Sequence, residues 1–209
     1  MQGKHVVVTG GHGALGKGVV ELLEAKGAIV HIADRPTVQL DDEASTTAFY
    51  AALPPLWASI HLVGGFAMEP IEQASVATFE AQWRLNTLTC FLACREAVKA
   101  MRKSGGGRIV NVAARPVLSP AGGMIAYVTA KAGVAALTQS LAAEVRKDGI
   151  LVNAVVPSII DTPANRSSMP GADFDTWPKP AEIAQAIAFL ASPENTLTSG
   201  TLVPVYGRA

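Results

Sequence analysis

Apolar positions along the chain follow two rhythms. Compact apolar runs recur at 6–8, 28–33, 60–63, 108–112, 151–156 and 201–205. Between them lie longer stretches, 19–26, 47–53, 76–103, 125–147 and 181–190, with helical patterning. A short run buried on both faces reads as a strand of a parallel sheet, and three-to-four spacing reads as a helix with one apolar face. Their alternation predicts α/β architecture, a single-domain doubly wound parallel sheet of the Rossmann kind. No linker or internal repeat divides the 209 residues, so one domain spanning 1–209 is expected.

Two places depart from the rhythm. Only three residues separate Asp34 from the apolar positions 38–40, where a parallel crossover needs a dozen or more. The segment "TVQL" is therefore expected at an edge or in a loop. A crossover helix is missing there, and the fold is shortened after its second strand. The longest irregular stretch, 159–180, is rich in Pro, Ser, Asp and Asn and is long enough to form a substrate lid.

Composition narrows the function classes. Hydrophobic residues make up 49% and charged residues 16%, which suits a well-covered interior and not a disordered chain. Lys plus Arg and Asp plus Glu each number 17, and no long basic run occurs, so nucleic acid is not an expected partner. No apolar run reaches the roughly 18 residues of a membrane span. The opening "MQGKHVVVTGG" is too short and glycine-bounded for a signal peptide, so a cytoplasmic location is expected. Cys90 and Cys94 share one predicted helix and read as packing residues. The four histidines are scattered without metal-ligand spacing, so no metal is expected.

Two motifs carry chemistry. In "TGGHGALG", Gly11, Gly13 and Gly16 fit G-x-G-x-x-G between a strand and a helix, the context in which a pyrophosphate meets a helix N-terminus. His12 lies in that loop near the phosphates. Asp34 ends the second strand, where a carboxylate accepts from a ribose diol and repels a 2′-phosphate. This favours NAD(H), with Arg35 softening the preference and NADP(H) as the alternative. In "AYVTAKAG", Tyr127 and Lys131 stand four apart on one helix face, so an ammonium near the phenol would lower its pKa.

With these motifs in this order, the chain resembles the short-chain dehydrogenase/reductases over nearly its whole length. The matches are T-G-x-x-x-Ala-x-G at Thr9–Gly16, Asn86 in the long central helix, Tyr127 with Lys131, and "NAVVPSIIDT" at 153–162. The resemblance implies Tyr127 as general acid/base, Lys131 as its tuning residue and ribose ligand, and Asn86 as holder of a water relay. It also implies cofactor contacts at Gly10, His12, Ala14, Leu15, Gly16, Asp34, Arg35, Gly64, Gly65 and Pro157, with Ile160 and Thr162 at the carboxamide. The helices 76–103 and 125–147 would pair chains into a homodimer or homotetramer.

Departures from the family are informative. Its substrate-binding serine is replaced by Ala114, its Asn-Asn-Ala-Gly turn by "LVGGF", and a usual glycine by Ser158. A serine-less branch, the dihydropteridine reductases, is similar at "GGHGALG", "VGGF", "GGMIAYVTAKAG" and "DTPANRSSMPGADFDTW". That similarity implies hydride transfer to an activated acceptor such as a quinonoid dihydropterin, with Phe66 and Trp177 as stacking or packing aromatics beside Ala114. Two alternatives stay open. One is an ordinary carbonyl reductase or alcohol dehydrogenase in which Ser119, Ser158 or water replaces the serine. The other is a dinucleotide-binding regulatory protein with a degraded site.

Overall fold

A computed structural model describes residues 1–209. Six strands, β1 (His5–Thr9), β2 (Ile29–Ala33), β3 (Leu56–His61), β4 (Gly107–Val112), β5 (Ile150–Pro157) and β6 (Leu202–Val205), form one sheet. Their order is β2-β1-β3-β4-β5-β6, and every pairing is parallel. The helices are α1 (Ala14–Ala25), α2 (Glu43–Ala51), α3 (Val76–Gln82), α4 (Thr89–Ser104), α5 (Ile125–Glu144), α6 (Pro163–Ser168) and α7 (Pro180–Ala191). This is the doubly wound α/β fold that the alternating pattern predicts.

Successive strand residues point to opposite faces, and β1 shows how that builds two layers. Val6 and Val8 pack among Val19 and Leu23 of α1 and Ile183 and Ile187 of α7. Val7 points the other way, into Cys94, Ala97 and Met101 of α4. All three valines are fully buried, and each such burial contributes roughly 1.5–3 kcal/mol.

The segment after β2 forms no strand, as expected, and leaves β2 at the edge of the sheet. Val38 and Leu40 are nevertheless buried in the α4 side of the core. Backbone and side-chain bonds tie the segment to the first turn of α2: Gln39 N donates to Ser45 Oγ at 2.9 Å. Asp42 caps that helix by accepting from Ser45 N at 2.7 Å.

Several boundaries differ from the sequence reading. The first helix begins at Ala14, because the glycine loop opens directly into it. The third strand runs 56–61 and not 60–63. Pro54 and Pro55 interrupt the chain after α2, and the strand starts at once. At its other end Leu62 N turns to Thr9 Oγ1 at 3.1 Å. The long 76–103 helix is continuous but carries a π-helical turn at Trp83–Leu88. The 125–147 helix stops at Glu144, before a short 3₁₀ turn and Gly149 in the left-handed region. The 159–180 stretch is not wholly irregular, since it contains α6 and a 3₁₀ turn at Phe174–Thr176.

Candidate active site

Ligands of parallel α/β sheets bind beyond the carboxyl ends of the strands, and the sequence-nominated residues gather there. Gly10 adopts φ +74°, which favours glycine. At Gly16 a Cβ would run into the Gly10 carbonyl oxygen, so only glycine closes the loop onto α1. Gly13 caps that helix without any side-chain bond, and its first turn holds no acidic residue. The amides of that first turn are thus free of side-chain acceptors from the helix itself, the setting in which a helix N-terminus receives an anion. Ala14 and Leu15 begin the helix.

Asp34 is turned onto this loop. One carboxylate oxygen accepts from Gly10 N, and the other accepts from His12 N at 2.9 Å and lies 2.9 Å from His12 Nδ1. Beside it opens a cleft of about 410 Å³ lined by Arg35, Val38, Leu40, Asp41 and Arg84. Asp41 receives Arg35 at 3.0 Å and approaches Arg84 at 3.7 Å. The volume falls within the ordinary range of small-molecule pockets. The glycine cradle and this cleft together fit the diphosphate and adenosine ends of a dinucleotide.

The reacting end is built around Asn86, which the π-helical turn carries and which is 1% exposed. π-Turns inside helices occur often at functional sites. Asn86 Oδ1 accepts from Gly65 N at 3.1 Å, and its Nδ2 donates to Gly65 O at 3.1 Å and Gln82 O at 3.0 Å. A Cβ on Gly64 would lie 2.7 Å from Asn86 Oδ1 and 3.0 Å from Lys131 Nζ. "GG" at 64–65 therefore lets the β3 turn press against both side chains. Lys131 Nζ donates to Val112 O, at the end of β4, at 2.9 Å. One helical turn earlier, the Tyr127 ring meets Phe66 edge-on at 5.0 Å. Ala114 is buried just beyond β4.

Three expectations need correction. Lys131 does not lower the Tyr127 pKa in this structure. Burial pushes the phenol up to about 12 and the lysine down to about 8. The low-dielectric setting penalises the charged form of each, and the ammonium is already bonded to a strand carbonyl. Trp177 is only 6% exposed and its ring lies 5.0 Å from that of Phe174, so it packs its own segment and presents little face to a ligand. Ser158 is also committed elsewhere, because its Oγ donates to Tyr206 O at 2.8 Å.

The remaining nominated residues lie on the β5 side. Pro157 ends β5, Ile160 packs against the α1–α7 core, and Thr162 caps α6 by accepting from Asn165 N at 3.2 Å. Ser119 is exposed after a 3₁₀ turn at Arg115–Val117. Sequence reasoning missed Gln82 and Thr9, which position Asn86 and the end of β3. Gln82 belongs to no motif, whereas Thr9 opens the glycine motif and is not singled out as a site residue.

Comparisons with known proteins agree with this geometry. Residues 37–172 match the family model described as short chain dehydrogenase. A levodione reductase of Leifsonia aquatica is 28% identical, with 97% of this chain and 92% of that protein covered. A 3-beta-hydroxysteroid dehydrogenase of Comamonas testosteroni is 29% identical, with 96% and 93% covered. Among solved structures, a short-chain type dehydrogenase/reductase from Mycobacterium ulcerans superposes with a TM-score of 0.94 at 23% identity, covering 100% of this chain and 90% of that one. The chain belongs to the short-chain dehydrogenase family. Within it the protein is an NAD(P)-dependent oxidoreductase.

Proposed function

We propose that the protein uses NADH to reduce an activated, electron-poor small molecule, with Tyr127 as proton donor. The observation that carries this reading is Ala114. At the position of the family's serine there is a buried methyl group, and the Ser158 hydroxyl donates to Tyr206 O. A donor aimed at a developing oxyanion is commonly worth about 10²–10³ in rate, so an acceptor that needs little polarisation suits the site best. A quinonoid dihydropterin is such an acceptor, as the similarity to the serine-less branch implies.

Bound NADH supplies the hydride. Gly10, Gly16 and the α1 N-terminus receive the diphosphate, and Asp34 keeps a lone pair on its Gly10-bonded oxygen for a ribose hydroxyl. Its charge disfavours a 2′-phosphate, which supports NADH over NADPH. Lys131, Asn86 and Gly64 hold the nicotinamide ribose region, with Ile160, Thr162 and Pro157 on its far side. Tyr127 remains protonated at neutral pH because burial raises its pKa, so its hydroxyl can hand a proton to the reduced product. Phe66, exposed beside Tyr127, offers a face to a flat heterocycle. The 159–180 segment serves as the lid.

A second reading, an ordinary carbonyl reductase or alcohol dehydrogenase, is favoured by the names of the similar proteins above. NADH oxidation with a quinonoid dihydropterin and with a panel of simple ketones separates the two. The proposal expects pterin turnover, with ketone turnover appearing only in Ala114→Ser. Ketone turnover by the unaltered chain that exceeds pterin turnover would give the second reading precedence.

A further inference from the structure

Behind the reacting end lies a cluster that the oxidoreductase site does not use. Cys90 and Cys94, one helical turn apart at the start of α4, face His61 at the end of β3. The three are 5%, 1% and 4% exposed, and their potential ligand atoms all lie within 4.8 Å of one another. Asn111, the register partner of His61 on β4, completes the group.

The spacing is that of a coordination shell. With zinc bonds of about 2.3 Å to sulfur and 2.0–2.1 Å to nitrogen, a tetrahedral site places S and N about 3.6 Å apart. Cys94 Sγ lies 3.5 Å from His61 Nδ1 and 3.5 Å from Asn111 Oδ1. His61 Nδ1 and Asn111 Oδ1 are 2.8 Å apart and would separate by roughly half an ångström to share one ion.

The outer contacts suit ligation as well. A metal-bound imidazole usually has its second nitrogen held by a polar partner. His61 Nε2 lies 2.8 Å from Ser59 Oγ, which in turn lies 2.8 Å from the Tyr50 hydroxyl. Asn111 Nδ2 donates to Thr138 Oγ1 at 2.9 Å, which turns its carbonyl oxygen toward the thiols.

We propose that Cys90, Cys94 and His61 form a binding site for one thiophilic d¹⁰ cation, zinc(II) above all, with Asn111 facing the fourth position. On binding, two S–H bonds release their protons to solvent and two metal–thiolate bonds form. Neutral His61 binds through Nδ1 and carries its proton on Nε2, toward Ser59. Two thiolates and a divalent ion leave no net charge in the interior, the condition for burying ions there. Soft thiolate ligands select zinc or copper(I) over magnesium or calcium.

The test uses the full chain produced in zinc-supplemented medium and washed with a weak chelator. Elemental analysis should return one zinc per chain, and Cys90→Ala and Cys94→Ala should each lose it. Exchange for cadmium should produce an ultraviolet thiolate-to-metal charge-transfer band, whose intensity falls by about half in either variant that still binds the ion. The band excludes the stacked surface pair His5 and His31, which carries no thiolate. Wild-type chain recovered free of zinc, or metal content unchanged in both cysteine variants, would overturn the proposal. The cluster would then be a buried polar network of the core, held by the contacts of His61, Cys94 and Asn111.

Discussion

At the scale of single residues, the site rests on two groups whose protonation burial sets in opposite directions. Tyr127 is pushed up to about 12 and Lys131 down to about 8, in both cases because burial penalises the charged form. Between about pH 8 and the ordinary lysine value of about 10.4, the unfolded chain binds more protons at residue 131 than the folded chain does. Stability from this group therefore rises with pH across that window, by on the order of 3 kcal/mol. Above about pH 10, Tyr127 works against the rise, because its folded form holds a proton the unfolded form has lost. Denaturant unfolding of chelator-treated protein at several pH values should show the increase, and Lys131→Met should flatten it. The spacing of Tyr127 and Lys131 is legible in the sequence, but the direction of their shifts is not. Those directions come from burial, which only the folded chain imposes.

At the scale of elements, the glycine loop and α1 act as one unit. The side chain that Gly16 lacks would occupy the space of the Gly10 carbonyl oxygen, so Gly16→Ala must push the loop out of place. NADH binding by that variant, measured by fluorescence titration, should weaken at least about tenfold, some 1.4 kcal/mol. Unaltered affinity would mean that the diphosphate does not use this loop. The loop, the alternation of strands with helices and Asp34 at the strand end are all readable from the sequence, because glycines and β-branched runs constrain the backbone locally. The start of β3 is not, since Ser59 separates Leu56, Trp57 and Ala58 from the apolar run that begins at Ile60. Nor is the fate of Trp177. An aromatic in a Pro-rich segment can stack on a ligand or on Phe174, and the choice is tertiary.

At the scale of the whole molecule, α3, the π-turn and α4 present an unpartnered stripe. Val76, Phe79, Trp83 and Phe91 are 74, 42, 44 and 44% exposed at helical spacing. A contiguous apolar surface on a helix face commonly marks an association site, and closed symmetric pairing is the usual outcome. Light scattering on the purified chain should give a dimer or tetramer, and Phe79→Glu combined with Trp83→Glu should shift it to monomer. No helix is long and apolar enough to cross a membrane. The shortened region after β2 was legible as a gap too small for a crossover. That its apolar residues would wall a cleft with Arg84, some forty residues away, was not.

The central claim is that Tyr127 protonates the product of an NADH-dependent reduction. Single-turnover NADH oxidation by Tyr127→Phe, with NADH affinity measured on the same sample, tests it most directly. A positioned general acid contributes about 10²–10⁴-fold. The account predicts a loss of that size with NADH affinity nearly unchanged. Turnover at the unaltered rate would contradict it and move the proton donor to another group.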